Sequence, residues 1–286
     1  MFKKIKRVFS QYSVKKIVRI FDSKYGLGFL ENLIASNWFN PFLTLYLNFR
    51  SFPLKYAWKL PIFVYGRPRF YNLSGEMIIV GDVTSGMIIF NNCSYGAPSI
   101  MSVQSELSNL GVIKFKGKGR IGTGCKIHVG YNSILEIGSY FKIQDMCNIG
   151  CYSKILIGDK TWITHRCQVF DSNYHYVANF KKGIIPSWRK EIIIGESCWI
   201  CNSTTVAGGT ILPNFTIVSS NSLVNKDFST IAESSLIGGI PAKYITSGLR
   251  RVENIKLERL IARHYSVCSD NYIIRNETME ECSTIK

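Results

Sequence analysis

The chain has 286 residues, 46% of them apolar, and 35 Lys and Arg against 19 Asp and Glu give it a net charge of +16. That length and apolar content suffice for one or two domains with a sizeable core and require no help from disulfides. Its nine cysteines are accompanied by no histidine pair at the H-x₃₋₅-H spacing of a zinc finger, and charges interrupt the apolar residues at the N-terminus too early for a signal peptide.

The charge is concentrated at the start. Through residue 70, thirteen Lys and Arg stand against Asp22 and Glu31, so this quarter carries eleven of the sixteen net charges. Lys3, Lys4, Lys6, Arg7, Lys15, Lys16 and Arg19 interleave with Phe2, Ile5, Val8, Phe9, Val14, Ile17, Val18, Ile20 and Phe21, the pattern of a basic amphipathic helix. Such a helix suits the surface of an anionic membrane, and equally suits packing its apolar side on the rest of the protein. It does not cross a bilayer: the apolar stretch 33–49 is broken by Asn37, Asn40 and Pro41, short of the ~20 clean residues a span needs. A nucleic-acid partner is not expected, because no groove-reading element or basic-aromatic RNA signature accompanies the charge.

From residue 71 the composition changes to short β-rich pieces, 77–80 and 87–90, and then settles into a fixed beat. Aliphatic residues fall at Ile194, Ile200, Val206, Leu212, Val218 and Val224, six apart, and the same beat runs back through Ile157, Ile163 and Val169, Ile137, Ile143 and Ile149, and Phe115, Ile121 and Ile127. Three anchors make a group of eighteen residues, one turn of a three-faced solenoid whose coils share a single core. Two residues before many anchors stands a small residue: Cys125, Cys147, Thr161, Cys167, Cys198, Thr204, Thr210, Thr216 and Ser222. Four cysteines thus take positions where a thiol acts as a small hydrophobe, which favours reduced cysteines and a cytoplasmic setting.

Regular coils are expected over about 112–227, with a small interruption at 151–154 and a large one at 171–190. Insertions in solenoids mark the functional face. After Gly238, Gly239 and Pro241 the beat stops, and 254–267 reads as an amphipathic helix. The division expected is a basic N-terminal region (1–70), the β-helix (71–245) and a C-terminal helix and tail (246–286).

The stretch 192–245 resembles the left-handed β-helix acyltransferases of the hexapeptide-repeat superfamily, particularly bacterial sugar O-acetyltransferases. Ile194-Gly195-Glu196-Ser197-Cys198-Trp199-Ile200 is similar to that family's I-G-x-x-x-W-I, Asn225-Lys226-Asp227 to its T-K-D, and Gly239-Ile240-Pro241-Ala242-Lys243 to its G-N-P-A-K. With the coils, the resemblance covers about residues 112–245. Three departures fall where glycine is usual or nearby: Cys201 after the W-I pair, Ala207-Gly208-Gly209 for L-P-G, and Ser219.

The resemblance implies a mainly β, left-handed parallel β-helix that transfers acetyl from acetyl-CoA to a sugar hydroxyl of a surface polysaccharide (O-antigen or capsule) or its precursor. Removing a proton from a hydroxyl at neutral pH suits histidine. His175, in Asp171-Ser172-Asn173-Tyr174-His175, resembles the family's D-x-x-x-H and is the implied general base. Asp171 either orients its imidazole or caps the loop turn. His165 is the rival base; His128 and His264 read as structural. The same carry-over sets Trp199, Cys201 and Asn202 at the thioester, Gly208, Ser220 and Asn225 along the pantetheine arm, and Lys226 and Lys243 at the phosphates of coenzyme A. Asn173, Tyr174, Tyr176 and Trp188 would meet the sugar acceptor. Metal is not expected, since no histidine pair has the H-x-x-x-x-H spacing of zinc β-helix enzymes.

Family members are commonly homotrimers with the site between two solenoids, so a trimer is expected here. Two other readings stay open at this point: acetylation of a small acceptor such as serine, a free sugar or an antibiotic, and a non-catalytic β-helix that binds polyanions or membrane.

Overall fold

The computed structural model describes residues 38–92, 103–274 and 282. The basic amphipathic helix expected at the N-terminus lies outside these residues. Short strands stack in parallel into three sheets of nine, seven and six strands, and consecutive strands move from the first sheet to the second to the third before returning one step further along. This is the left-handed parallel β-helix, each sheet one wall of a triangular prism.

The anchors fill the prism in ladders. In the first sheet Val64, Phe90, Ile121, Ile143, Ile163, Ile200, Val218 and Ile237 sit in register, and all are buried. At Gly119 in the same sheet, a Cβ would lie 2.0 Å from the ring of Phe141. The missing side chain is the space in which that core phenylalanine lies, stacked on Phe115 with ring centroids 5.9 Å apart.

The small residues before the anchors do more than avoid crowding. The thiols of Cys125, Cys147 and Cys167 donate to the carbonyls of Gln144, Thr164 and Cys201 in the next coil, and the hydroxyl of Thr204 to that of Ser219. Each ties a buried carbonyl at a corner where the sheet ladder cannot reach it. Burial pushes the Cys198 thiol up to about 12, so this cysteine stays protonated and unreactive. Many corners also carry one residue in the left-handed region, among them Met146, Arg166, Ser203 and Asn221.

The coils begin before residue 71. Strand Ile62–Val64 pairs with Ile88–Phe90, and Arg69–Asn72 with Glu106–Asn109, in the first and second sheets. The beat fails to show them because their core residues Val64, Phe70, Ile79, Phe90, Leu107 and Phe115 follow one another at intervals of six, nine, eleven, seventeen and eight. Turns of unequal length separate strands that still stack in register.

Ahead of them, helix α1 (Pro41–Ser51) starts at Asn40, whose side chain accepts from the amide of Leu43. It lies along the open edge of Ile62–Val64. The buried Asn48 amide donates to the carbonyl of Ile62 and accepts from its N–H at 3.0 Å, and the hydroxyl of Thr44 accepts from Val64 N–H. A single turn, α2 (Leu54–Ala57), leads into the first strand. At the far end the parallel stacking stops: Lys243–Ser247 pairs antiparallel with Ser235–Gly238. Helix α3 (Ile255–Val267) follows, capped by the side chain of Asn254. Among the described residues no helix is long and apolar enough to cross a membrane.

Candidate active site

The large insertion leaves the prism at the corner between the second and third sheets. Strand Gln168–Phe170 ends there, and Asp171 is fully buried. Its carboxylate oxygens accept from the amides of Tyr152 and Ser153, each at 2.7 Å, while its own carbonyl accepts from Lys190 N–H. Asp171 therefore ties both ends of the insertion to the short interruption one coil earlier. Both oxygens face main-chain donors rather than an imidazole. Burial raises its pKa above the ordinary carboxylate value, and the Tyr152 and Ser153 amides pull it back.

Beyond Asp171 the insertion runs out and back as a ribbon. Ser172 bridges Arg189, the amide of Asn173 donates to the carbonyl of Trp188, and Asn179 bridges Ile184. The Arg189 guanidinium donates to the carbonyl of Tyr152 at 3.0 Å and lies over the Trp188 ring. Tyr152 is the centre of an aromatic cluster: Tyr174 meets it edge-on at 4.9 Å, Trp188 tilts against it at 5.7 Å, and His128 stacks on it at 5.3 Å. Tyr176 packs on Trp188 and Phe170 on Tyr174. Burial, then Tyr174, raises the Tyr152 phenol, and burial lowers His128. Gly150 makes room for these rings, since a Cβ there would meet Phe170 at 2.5 Å. His175 lies on the exposed part of this ribbon.

The residues expected around the donor divide between two corners. Gly208 stands beneath the insertion, where a Cβ would come 2.9 Å from the carbonyl of Asp171 and 3.0 Å from that of Lys190. Asn225 and Lys226 are exposed one coil further along. Cys201, Asn202 and Ser220 lie across the second sheet, at its corner with the first, and Trp199 is on the outer face of the first sheet in register with Trp162 and Ile217. Burial pushes the Cys201 thiol up to about 11. Lys243 opens the antiparallel strand and is exposed. Within one chain the insertion is thus gathered with Gly208 and separated by the width of a sheet from Trp199, Cys201, Asn202 and Ser220.

The second corner carries its own histidine. His165 is half-buried, its Nδ1 3.8 Å from Oδ2 of the buried Asp145, whose Oδ1 accepts from Thr123 N–H. The carbonyl of His165 accepts from Ser203, and that of Asn202 from Asn221, so His165 and Asn202 follow one another up the prism. Tyr152 was not legible as a partner of the insertion, nor were the contacts that His128 and Arg189 make with it. The signal for Tyr152 was the small interruption at 151–154, which stands one coil before the large one.

No protein-family model matches the chain. It is 26% identical over 183 residues to WbbJ of Escherichia coli (strain K12), a protein named for O-acetyl transfer in lipopolysaccharide biosynthesis; the match covers 61% of this chain and 89% of WbbJ. Among solved structures it is similar to the polySia-specific acetyltransferase NeuO (17% identity, TM-score 0.37, covering 73% of this chain and 99% of that one). It is similar also to the hexapeptide-repeat acetyltransferase VCA0836 of Vibrio cholerae O1 biovar eltor, solved with acetyl coenzyme A (18% identity, TM-score 0.33, covering 56% and 70%). A six-residue repeat folds here into a three-walled prism, and the chain is similar to WbbJ along 89% of that protein's length.

Proposed function

We propose that the chain is an acetyl-CoA-dependent O-acetyltransferase acting on a sugar hydroxyl of a bacterial surface polysaccharide or its precursor. The observation that carries this reading is the insertion at 171–190, anchored by Asp171 at a corner of the prism and carrying His175 among exposed aromatic side chains. Acetyl-CoA and the acceptor bind side by side. His175 removes the hydroxyl proton, the oxygen attacks the thioester carbonyl, and the tetrahedral intermediate expels the thiolate of coenzyme A. The amide at Asn202 faces the developing oxyanion, and holding both substrates together removes a large entropic barrier. Tyr174, Tyr176 and Trp188 offer faces on which a sugar ring stacks.

Because the donor residues Trp199, Cys201, Asn202 and Ser220 are a sheet's width from the insertion, the site is completed by a second subunit in a homotrimer. The exposed side chains of Tyr176, Val177, Phe180, Ile184 and Ile185 on the insertion supply apolar surface for that contact. Melting of the protein with increasing acetyl-CoA tests the donor site: at about 100 times the dissociation constant a specific ligand adds about 2.7 kcal/mol. A saturable rise with acetyl-CoA and none with AMP is expected, in protein that light scattering shows to be trimeric. No rise in folded, trimeric protein makes the chain a binding scaffold, and a monomer removes the shared site.

The basic segment at the N-terminus then holds the enzyme at an anionic membrane surface, close to lipid-linked acceptors. Deleting residues 1–24 is expected to abolish co-sedimentation with anionic liposomes; unchanged co-sedimentation removes the segment from this role.

A further inference from the structure

A cavity of about 520 Å³ opens on the outer face of the first sheet, away from the insertion, between Lys118, Arg120, Lys142 and Trp162 of the sheet and the segment bearing Arg251, Glu253 and Glu258. Its volume is that of a small-molecule site, and its charges are left in an unfinished state. The side chain of Glu253 is 3% exposed and that of Arg251 10% exposed, with Nη2 and Oε1 separated by 3.5 Å. Among the described residues neither oxygen of Glu253 has a hydrogen-bond partner, and neither has Nε of Arg251. Lys142 Nζ stands 3.6 Å, and the Arg251 guanidinium carbon 3.5 Å, from the centre of the Trp162 ring. Arg120 reaches Asn92 Oδ1 at 2.6 Å.

Lys142 and Arg251 meet over the Trp162 ring with Arg120 beside Lys142 in the strand register; gathering these charges without an anion between them, and holding a buried carboxylate with no hydrogen-bond donor, are both costly. Both deficits vanish with a ligand that presents an anionic group to Lys142, Arg251 and Arg120, and hydrogen-bond donors to Glu253. We propose that this cavity binds an acidic sugar, its carboxylate on the cations and its hydroxyls donating to Glu253. The size favours one or two rings over a bare inorganic anion. The inference is independent of the acetyl transfer proposed above, since the cavity is on a different wall from the insertion and its binding is read without acetyl-CoA.

Lys142 also sets a pH dependence. Burial first, then Arg251 and Arg120, lowers its pKa to about 8, against the raising influence of Glu258 and Glu253. Lysine carries its charge below that value, and an anion favours the charged form. Affinity for an acidic sugar is therefore full near pH 7 and falls as the pH rises through about 8.

The test is calorimetric titration of the full chain with glucuronate, with glucose as the neutral counterpart, and with glutamate and inorganic phosphate. Saturable binding of glucuronate and none of glucose is expected. Lys142→Met should weaken glucuronate binding at least tenfold without lowering the melting temperature, because it removes a half-buried charge and keeps the packing on Trp162. Wild-type affinity in Lys142→Met, or equal binding of glucose, overturns the proposal. Binding of glutamate or phosphate in place of glucuronate overturns the sugar and leaves a site for a different anion.

Discussion

Replacing His175 by alanine is expected to lower the turnover of acetyl transfer about 100-fold, the usual weight of a general base, while the melting shift with acetyl-CoA stays as it was. His175 is exposed on the insertion, so its removal leaves no cavity and no orphaned partner, and the loss is read in kcat. The same measurement on His165→Ala decides between the two histidines of the described fold that stand at the corners flanking the second sheet. His165 has a buried carboxylate, that of Asp145, 3.8 Å from Nδ1, and a small approach would make the hydrogen bond that holds an imidazole in one tautomer elsewhere. If His175→Ala keeps its activity and His165→Ala loses it, the base is His165, oriented by Asp145, and the insertion serves the acceptor alone. A shared site gives a further outcome in the same assay. Subunits carrying His175→Ala mixed with subunits carrying Trp199→Ala regain part of the activity, because one interface in the mixed trimer is intact.

Asp171→Ala is expected to destabilise the fold by about 3 kcal/mol in denaturant titration at pH 7. Two half-buried amides, those of Tyr152 and Ser153, lose their acceptor, and an unmet buried donor costs roughly 1–3 kcal/mol. Relief of a buried carboxylate offsets part of this. Asp171→Asn keeps one acceptor oxygen but turns an N–H₂ toward the other amide, so it recovers at most half of the loss. Turnover falls with stability in both variants, since the ribbon that carries His175 leaves and re-enters the prism at this residue. Native stability in Asp171→Ala, together with a change in the pH profile of turnover, would return the carboxylate to the role of orienting an imidazole.

What could be read from the sequence follows from what repeats. The prism was legible wherever successive turns have equal length, as from Ile194 to Val224, because equal turns put every core residue at the same interval. From Val64 to Phe115 unequal turns break the beat: the pieces at 77–80 and 87–90 were legible as β-rich, while Ile62–Val64, Arg69–Asn72 and Glu106–Asn109, which stack just as well, were not. The insertion announced itself by interrupting the beat. What it touches did not: Tyr152 meets it, and His128 meets Tyr152, through contacts between coils. The cavity on the first sheet was missed for a related reason. Arg120, Lys142, Trp162 and Trp199 each stand one residue before a core anchor and so share one outer face, a column visible once the repeats are aligned. Arg251 and Glu253, which turn that column into an enclosure, come from beyond the repeats.

A stack of identical coils has no internal reason to end, for each coil offers the next the same row of amides and carbonyls. At the start of this one, Asn48 uses its side-chain amide as a strand uses its peptide group, giving and taking one hydrogen bond with Ile62, and Thr44 answers Val64. Without those two side chains the first edge would accept the last coil of another molecule, and the head-to-tail product would be a fibre. Helix α1 at the first sheet's near edge and the antiparallel strand Lys243–Ser247 at its far edge are thereby devices that keep a self-templating architecture finite.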